Sequence, residues 1–247
     1  RPRVPEVNVL VNGNFAAGAT GWNISVGATF NNVIGFNAGS AQFLLNDVIA
    51  GTTSGATAKC RGNATKSSGE WDGSAVGYVG VTDVSGVFVS GEPLTSGAKT
   101  ATLTGFNTCQ IIDNPVGSGK VLQVVQKSTG LPWAMSVQPM LTPAQRLSLM
   151  GYPVSYKCKI YLHPDTVDTA TLQPSLVLNS SPGNVTLTRN ILFSMVLGQW
   201  HELQEKVVFD KSGRELLFQF RADNTHTDND YIRCYVTDFS LIRGGSK

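Results

Sequence analysis

The chain has few charged residues, and no block of like charge interrupts it. Charged residues make up 15% of its 247 residues, and the formal net charge is +2. Binding to nucleic acid or to an anionic membrane surface requires a concentrated basic patch. A membrane-spanning helix needs roughly 18 consecutive apolar residues, and no run approaches that length. The sequence therefore predicts a protein with no nucleic-acid partner and no membrane insertion.

Motifs of the common enzyme classes are also missing. There is no Gly-x-Ser-x-Gly turn, no His-Glu-x-x-His helix, no phosphate-binding loop and no dinucleotide fingerprint. The four cysteines and three histidines do not fall at the spacing of zinc ligands. We therefore predict a protein that is not an enzyme. Loop aspartates such as Asp223 and Asp228 leave a glycan-processing enzyme open as an alternative, because glycosidase carboxylates have no fixed sequence spacing.

Strand patterns dominate what is present. Residues 153–163, PVSYKCKIYLH, alternate apolar and polar side chains, as expected of an antiparallel strand buried on one face. Residues 120–127, KVLQVVQK, form a short apolar run, and more strand candidates with turn residues between them continue to residue 242. Only residues 141–151 have a helical pattern. The sequence predicts an all-β protein, an antiparallel β-sandwich of the jelly-roll type.

One segment differs from the rest in composition. Residues 38–105 are dense in Gly, Ser, Thr and Ala, and such small side chains on short strands do not fill a large core. We interpret this segment as a small inserted β-module. The predicted domains are then a discontinuous jelly-roll sandwich over 6–37 and 106–243, with the module at 38–105 between its two parts.

The two ends of the sandwich carry a resemblance. An apolar strand is followed by Asn12-Gly13-Asn14-Phe15, a spacer and Gly21-Trp22, and the last strand reads YVTDFSLI over 235–242. This order resembles jelly-roll carbohydrate-binding modules with the galactose-binding-like fold. The resemblance implies that the first and last strands lie side by side, with Phe15 and Trp22 closing one end of the sandwich.

The same resemblance implies a structural calcium ion. Members of that family often hold Ca²⁺ between backbone carbonyls of the first loop and a late aspartate. The corresponding residues here are Asn12, Asn14 and Asp238, although Ala16 and Thr237 stand where acidic residues often occur. The alternative is that Asp238 caps the loop by accepting backbone N–H groups.

The inserted segment carries a second resemblance. Its Gly-Ala-Thr-Ala strand, the hairpin pattern G-x-F-x-x-G-E-x-L-T and a second Ala-Thr strand are similar to small β-modules of tailed-bacteriophage structural proteins. The matching hairpin residues are Gly86, Phe88, Gly91, Glu92, Leu94 and Thr95. The resemblance implies a place on the surface of a virion, an extracellular particle.

Tryptophans are the candidate contact residues. An aromatic ring suits the apolar C–H face of a sugar, and Trp71 in a Gly-rich loop and Trp133 after a proline turn are predicted to contact carbohydrate or a partner. Trp200, at the start of a strand, is predicted to pack in the core.

These observations predict a structural protein of a phage virion, either a capsid decoration (cement) protein or a tail or head appendage. Its expected partners are other virion proteins and further copies of itself in a homo-oligomer, and a cell-surface glycan is an additional candidate. The alternative is a carbohydrate-binding module of a secreted, polysaccharide-targeting protein.

Overall fold

The fold class predicted from the sequence is confirmed: the chain is an antiparallel β-sandwich with a small inserted β-module. The structure is a computed structural model. It describes residues 7–8, 10, 12–18, 20, 22–26, 32–127, 134–139, 141–149, 152–166, 172–180, 184–188, 195–208, 213–222 and 231–244.

Seventeen strands and one short helix make up the described residues. In chain order they are β1 (Val7–Asn8), β2 (Trp22–Val26), β3 (Asn32–Gly39), β4 (Val48–Gly51), β5 (Thr57–Cys60), β6 (Thr65–Ser68), β7 (Ala75–Ser85), β8 (Pro93–Ser96), β9 (Lys99–Asp113), β10 (Lys120–Lys127), β11 (Ala134–Pro139), α1 (Pro143–Leu149), β12 (Pro153–Leu162), β13 (Leu172–Ser180), β14 (Asn184–Thr188), β15 (Trp200–Val208), β16 (Gly213–Ala222) and β17 (Tyr231–Arg243).

The strands form two sheets. The larger has twelve strands in the order β15-β12-β17-β10-β9-β3-β7-β5-β4-β8, with β1 beside β17 and β6 beside β7. The smaller has the order β14-β13-β16-β11-β2. As the sequence resemblance implies, the first and last strands lie side by side, since Val7 pairs with Arg243.

The core of the sandwich comes from alternate residues of the large sheet. Strand β12 contributes Val154, Tyr156, Cys158, Ile160 and Leu162, which are all buried in one cluster. This is the apolar face that the alternation over 153–163 predicts. The residues between them, which include Lys159 and Tyr161, therefore point to the opposite face of the sheet. We call that opposite face the outer face.

The inserted β-module is part of a closed ring of strands that also includes β3 and β9, both of which extend beyond residues 38–105. Strands β9, β3, β7, β5, β4 and β8 pair in sequence, and β8 also pairs with β9, so six strands form a ring. We call this ring the barrel. A closed ring leaves no unpaired strand edges of its own, which explains how short strands rich in small residues remain ordered.

The hairpin pattern that resembles phage modules has a structural explanation in the barrel. Phe88 and Leu94 are buried in its core, and Gly86 and Gly91 both have φ of +78°, a conformation that favours glycine. Glu92 is 3% exposed, and its carboxylate accepts hydrogen bonds from two loops. The residues of the pattern are therefore explained by packing, backbone conformation and hydrogen bonding inside the barrel.

Strand β9 belongs to both parts of the molecule. Its first half pairs with β8 and β3 in the barrel, and its second half pairs with β10 in the sandwich. The strand runs without a break through the predicted domain boundary at residue 105. The division into 6–37 plus 106–243 and 38–105 stays a prediction.

Three further features complete the fold. The helix predicted within 141–151 is α1, of two turns. No helix among the described residues is long and apolar enough to span a membrane. All four cysteines are free and buried, and burial raises the pKa of Cys60 to about 12, which makes its thiol unreactive.

The hydrogen bonds of Asp47 predict that the stability of the barrel depends on pH. Its carboxylate accepts Leu44 N at 2.7 Å and Lys99 Nζ at 2.5 Å. These two donors, the backbone one first, lower the pKa of Asp47 from its ordinary value of 3.8. The stabilisation is therefore complete above that ordinary value and is lost as the pH falls through the lowered pKa. We expect Asp47→Asn to cost about 1–2 kcal/mol at pH 7.

Urea unfolding at pH 7 and at pH 3 measures this effect. The difference between parent and Asp47→Asn should shrink at the lower pH. The exposed Asp83, whose φ of +50° suits asparagine, gives the control Asp83→Asn. A difference for Asp47→Asn that is equal at both pH values would contradict the assignment.

Candidate functional site

A row of aromatic side chains crosses the outer face of the large sheet. Tyr161 on β12 pairs with Trp200 on β15 and with Tyr235 on β17. The ring centroids of Trp200 and Tyr161 are 5.5 Å apart, and those of Tyr161 and Tyr235 are 5.7 Å apart in a stacked arrangement. Tyr161 and Tyr235 are buried, whereas Trp200 is half-buried. The two tyrosines thus support Trp200 from one side.

A bulge in β17 lies next to this row. Lys157 pairs with Ser240 and Lys159 pairs with Thr237, so two residues of β17 face one residue of β12. Asp238 has φ of +54° at this point. The extra residue reverses the alternation: Phe239 enters the core at 2% exposure, and Asp238 is exposed on the outer side.

The first loop docks against the bulge. The carbonyl of Gly13 accepts the N–H of Phe239 at 2.9 Å, and a Cβ added to Gly13 would lie 1.9 Å from the Phe239 carbonyl oxygen. Only glycine permits this approach. Phe15 then packs against Trp22 and Phe239 with ring centroids 5.3 and 5.7 Å apart, which closes the end of the sandwich as the sequence resemblance implies.

An open groove of about 930 Å³ lies where these elements meet. Trp200, Lys159, Thr237 and Asp238 line it from the sheet. The exposed first loop and the β9–β10 hairpin, residues 113–120, line its other sides; the lining residues from these two segments are Asn14, Ala16, Asp113, Asn114, Gly117, Ser118, Gly119 and Lys120. We call this site the groove. Its volume is in the range of small-molecule sites.

Two ion pairs lie in the groove. Lys159 Nζ is 2.8 Å from Asp238 Oδ2, and Lys120 Nζ is 2.8 Å from Asp113 Oδ1. The Asp238 carboxylate raises the pKa of Lys159, and the Lys120 ammonium lowers the pKa of Asp113. Each pair joins one lysine to one aspartate, so together they contribute no net formal charge to the groove.

The structure describes only one of the two tryptophans that were predicted as contact residues. Trp71 is half-buried, with its ring 5.8 Å from that of Phe36 at the barrel, and it does not line the groove. Trp133 lies outside the described residues. A role in ligand contact stays a prediction for both.

The oxygen atoms that the calcium prediction uses already have other donors. Asn12 Oδ1 accepts Ala17 N, and the Asn12 carbonyl accepts Trp22 Nε1 at 3.0 Å. Asn14 Oδ1 accepts Ala16 N at 3.3 Å, and Asp238 is paired with Lys159. An ammonium group beside the single carboxylate does not favour a cation there. Among the described residues no group of three or more His, Cys, Asp or Glu is arranged for a metal, and calcium stays a prediction.

The sequence analysis assigned Trp200 to the core and missed its place in the groove. It does begin a strand, and it packs half-buried against Tyr161 on the outer face, where it also lines the groove. The signal is in the alternation of β15, because Leu203 is buried in the sandwich core and residues three apart on a strand face opposite sides. The Lys120 and Lys159 ion pairs have no comparable signal in the sequence.

No protein family matches this sequence, and no curated protein is similar to it. Among solved structures, it is similar to a xylan-binding domain from Paenibacillus barcinonensis Xyn10C, at 11% identity and a TM-score of 0.38 over 57% of this chain and 83% of that domain. It is also similar to the tandem CBM22-1-CBM22-2 domain of the same protein, at 11% identity and a TM-score of 0.40 over 98% of this chain and all of that one.

A third similar structure contains the CBM22-1-GH10 modules of Clostridium thermocellum endo-1,4-beta-D-xylanase 10B. The identity is 14% and the TM-score is 0.41, over 57% of this chain and 25% of that one, so this chain spans about a quarter of the xylanase structure. These likenesses are partial, and they assign no ligand to this chain.

Proposed function

We propose that this protein is a non-catalytic carbohydrate-binding protein that holds a saccharide in the groove against Trp200. The observation that carries the proposal is the combination of a supported, half-buried indole with four charged side chains along one open groove. Saccharides present apolar C–H faces and polar hydroxyl rims, so they match an aromatic platform beside fixed hydrogen-bonding groups.

The charges of the groove favour binding over hydrolysis. A glycosidase needs one carboxyl group with a raised pKa as general acid. The Lys120 ammonium has the opposite effect on the pKa of Asp113. This effect makes Asp113 unsuited to act as a general acid, and Asp238 is hydrogen-bonded to Lys159.

The virion role was predicted from the two resemblances and the absence of catalytic motifs, and only the hairpin pattern points to a virion specifically. Each of its core positions is accounted for by packing or backbone conformation inside the barrel, so the pattern supports a module type without indicating a location. The virion surface, the virion partners and the homo-oligomer stay predictions, and carbohydrate binding is the function that the groove supports better.

Trp200→Ala tests the proposal. We expect it to weaken binding at least tenfold, because a large aromatic contact at the centre of a site commonly contributes 2 kcal/mol or more. Affinity electrophoresis in gels that contain soluble polysaccharides first identifies the carbohydrate that retains the protein, and then measures the variants.

Trp71→Ala is the matched control, since Trp71 is also half-buried but lies outside the groove. It should keep full retention, and Trp200→Phe should keep part of it. Circular dichroism spectra equal to the parent's show that each variant is folded. Equal retention of Trp200→Ala and parent, or loss of retention only in Trp71→Ala, contradicts the proposal.

A further inference from the structure

We infer that each ion pair of the groove binds two adjacent hydroxyl groups of one sugar ring, and that the groove therefore selects neutral saccharides over uronic-acid polymers. This inference rests on the proposed carbohydrate binding. It assigns specificity to Lys159 with Asp238 and to Lys120 with Asp113.

Each ion pair of the groove keeps hydrogen-bonding capacity for a ligand. Asp238 Oδ2 is 2.8 Å from Lys159 Nζ, and the described residues supply no donor for the second oxygen of Asp238. An ammonium has three protons, so Lys159 keeps two of them for other acceptors. Each pair thus offers one acceptor and one donor side by side, as Asp113 and Lys120 do on the hairpin.

A pair of vicinal hydroxyl groups complements such a site. One hydroxyl donates to the carboxylate, and its neighbour accepts from the ammonium, so both charged groups stay hydrogen-bonded and the ion pair stays intact. Hydrogen bonds in which one partner is charged are the stronger kind. A sugar with its ring on Trp200 can make these contacts along its hydroxyl rim.

The paired charges of the groove also determine how it interacts with a negatively charged sugar. Both ammonium groups in the groove already have a carboxylate within 2.8 Å. A uronate carboxylate that accepted one of the remaining lysine protons would lie beside Asp113 or Asp238, and like charges at that distance repel. A neutral ring has no such cost.

The variant Asp238→Asn is expected to change which polysaccharide retains the protein. Asparagine tolerates the φ of +54° at this position, and it removes the carboxylate that is hydrogen-bonded to Lys159, so that only Glu202 on the neighbouring strand still offsets its charge. We expect retention by the neutral polysaccharide that binds the parent to fall at least threefold. Retention by polygalacturonate, absent in the parent, should become measurable.

Glu70→Gln is the control with the same change in net charge. It frees Lys66 from a surface ion pair that lies outside the groove, so its two retentions should match those of the parent. Gel mobility without polysaccharide corrects for the altered charge of both variants.

The retention measurements distinguish a failure of carbohydrate binding from a failure of the assigned specificity. If no carbohydrate retains the parent, the proposed function fails and this inference fails with it. If polygalacturonate retains the parent best, or if Asp238→Asn binds both polymers as the parent does, carbohydrate binding stands and the assigned specificity is overturned.

Discussion

Glu92→Gln is expected to lower the free energy of unfolding by about 2–4 kcal/mol, a large effect for a change of one atom. The Glu92 carboxylate is buried, and it accepts Thr53 N and Ser54 N on Oε2 at 3.0 and 2.9 Å. Its Oε1 accepts Val89 N at 2.7 Å and the Ser54 hydroxyl at 2.9 Å. An amide has only one oxygen, so its NH₂ group must face at least one backbone N–H, which is then left buried without an acceptor.

Urea unfolding followed by circular dichroism measures this loss. Glu70→Gln is the matched control, because it makes the same chemical change at an exposed surface pair, and it should stay within about 0.5 kcal/mol of the parent. A Glu92→Gln variant as stable as Glu70→Gln would show that the carboxylate does not hold the two barrel loops together.

Phe15→Ala is expected to cost about 3–5 kcal/mol, the range for removing a large aromatic side chain from a packed core. Phe15 is fully buried and contacts the rings of both Trp22 and Phe239. Its loss leaves a cavity where the first loop docks on the last strand, and that loop also supplies Asn14 and Ala16 to the groove.

Urea unfolding again measures the effect, with Asn14→Ala as the control on the same loop. Asn14 is exposed and makes one local hydrogen bond at 3.3 Å, so its loss should stay within about 0.5 kcal/mol. A cost below about 1 kcal/mol for Phe15→Ala would contradict the role of this aromatic cluster.

Local sequence patterns predicted the inner and outer residues of a strand correctly where only one face of that strand is buried. The alternation in β12 predicts its inner and outer residues correctly. The run KVLQVVQK lacks alternation because both faces of β10 are covered: Leu122 and Val124 enter the sandwich core, whereas Val121 and Val125 pack on the other side. The loop Asn12–Phe15 was placed beside the last strand by its resemblance, and the Gly13–Phe239 hydrogen bond agrees with that placement.

Long-range pairing accounts for what the sequence did not predict. The barrel closes through the pairing of β8 with β4, which no local pattern specifies, whereas the pairing of β8 with β9 is a local hairpin that turns at Gly97. The groove combines residues from Asn14 to Asp238, more than 200 positions apart, and its bulge is visible only as a shift in strand register. Trp200 was assigned to the core because the alternation that follows it in β15 was not used, although the buried Leu203 places Trp200 on the opposite face.

The most direct test of carbohydrate binding in the groove uses the indole N–H signals of the four tryptophans in an NMR titration with an oligosaccharide of the retained polymer. Trp200→Phe assigns the Trp200 signal by its disappearance. The account predicts that this signal shifts in a saturable way, while the signals of Trp22 and Trp71 stay in place. A saturable shift confined to another tryptophan, or no shift at a concentration that releases the protein from the polysaccharide gel, would contradict it.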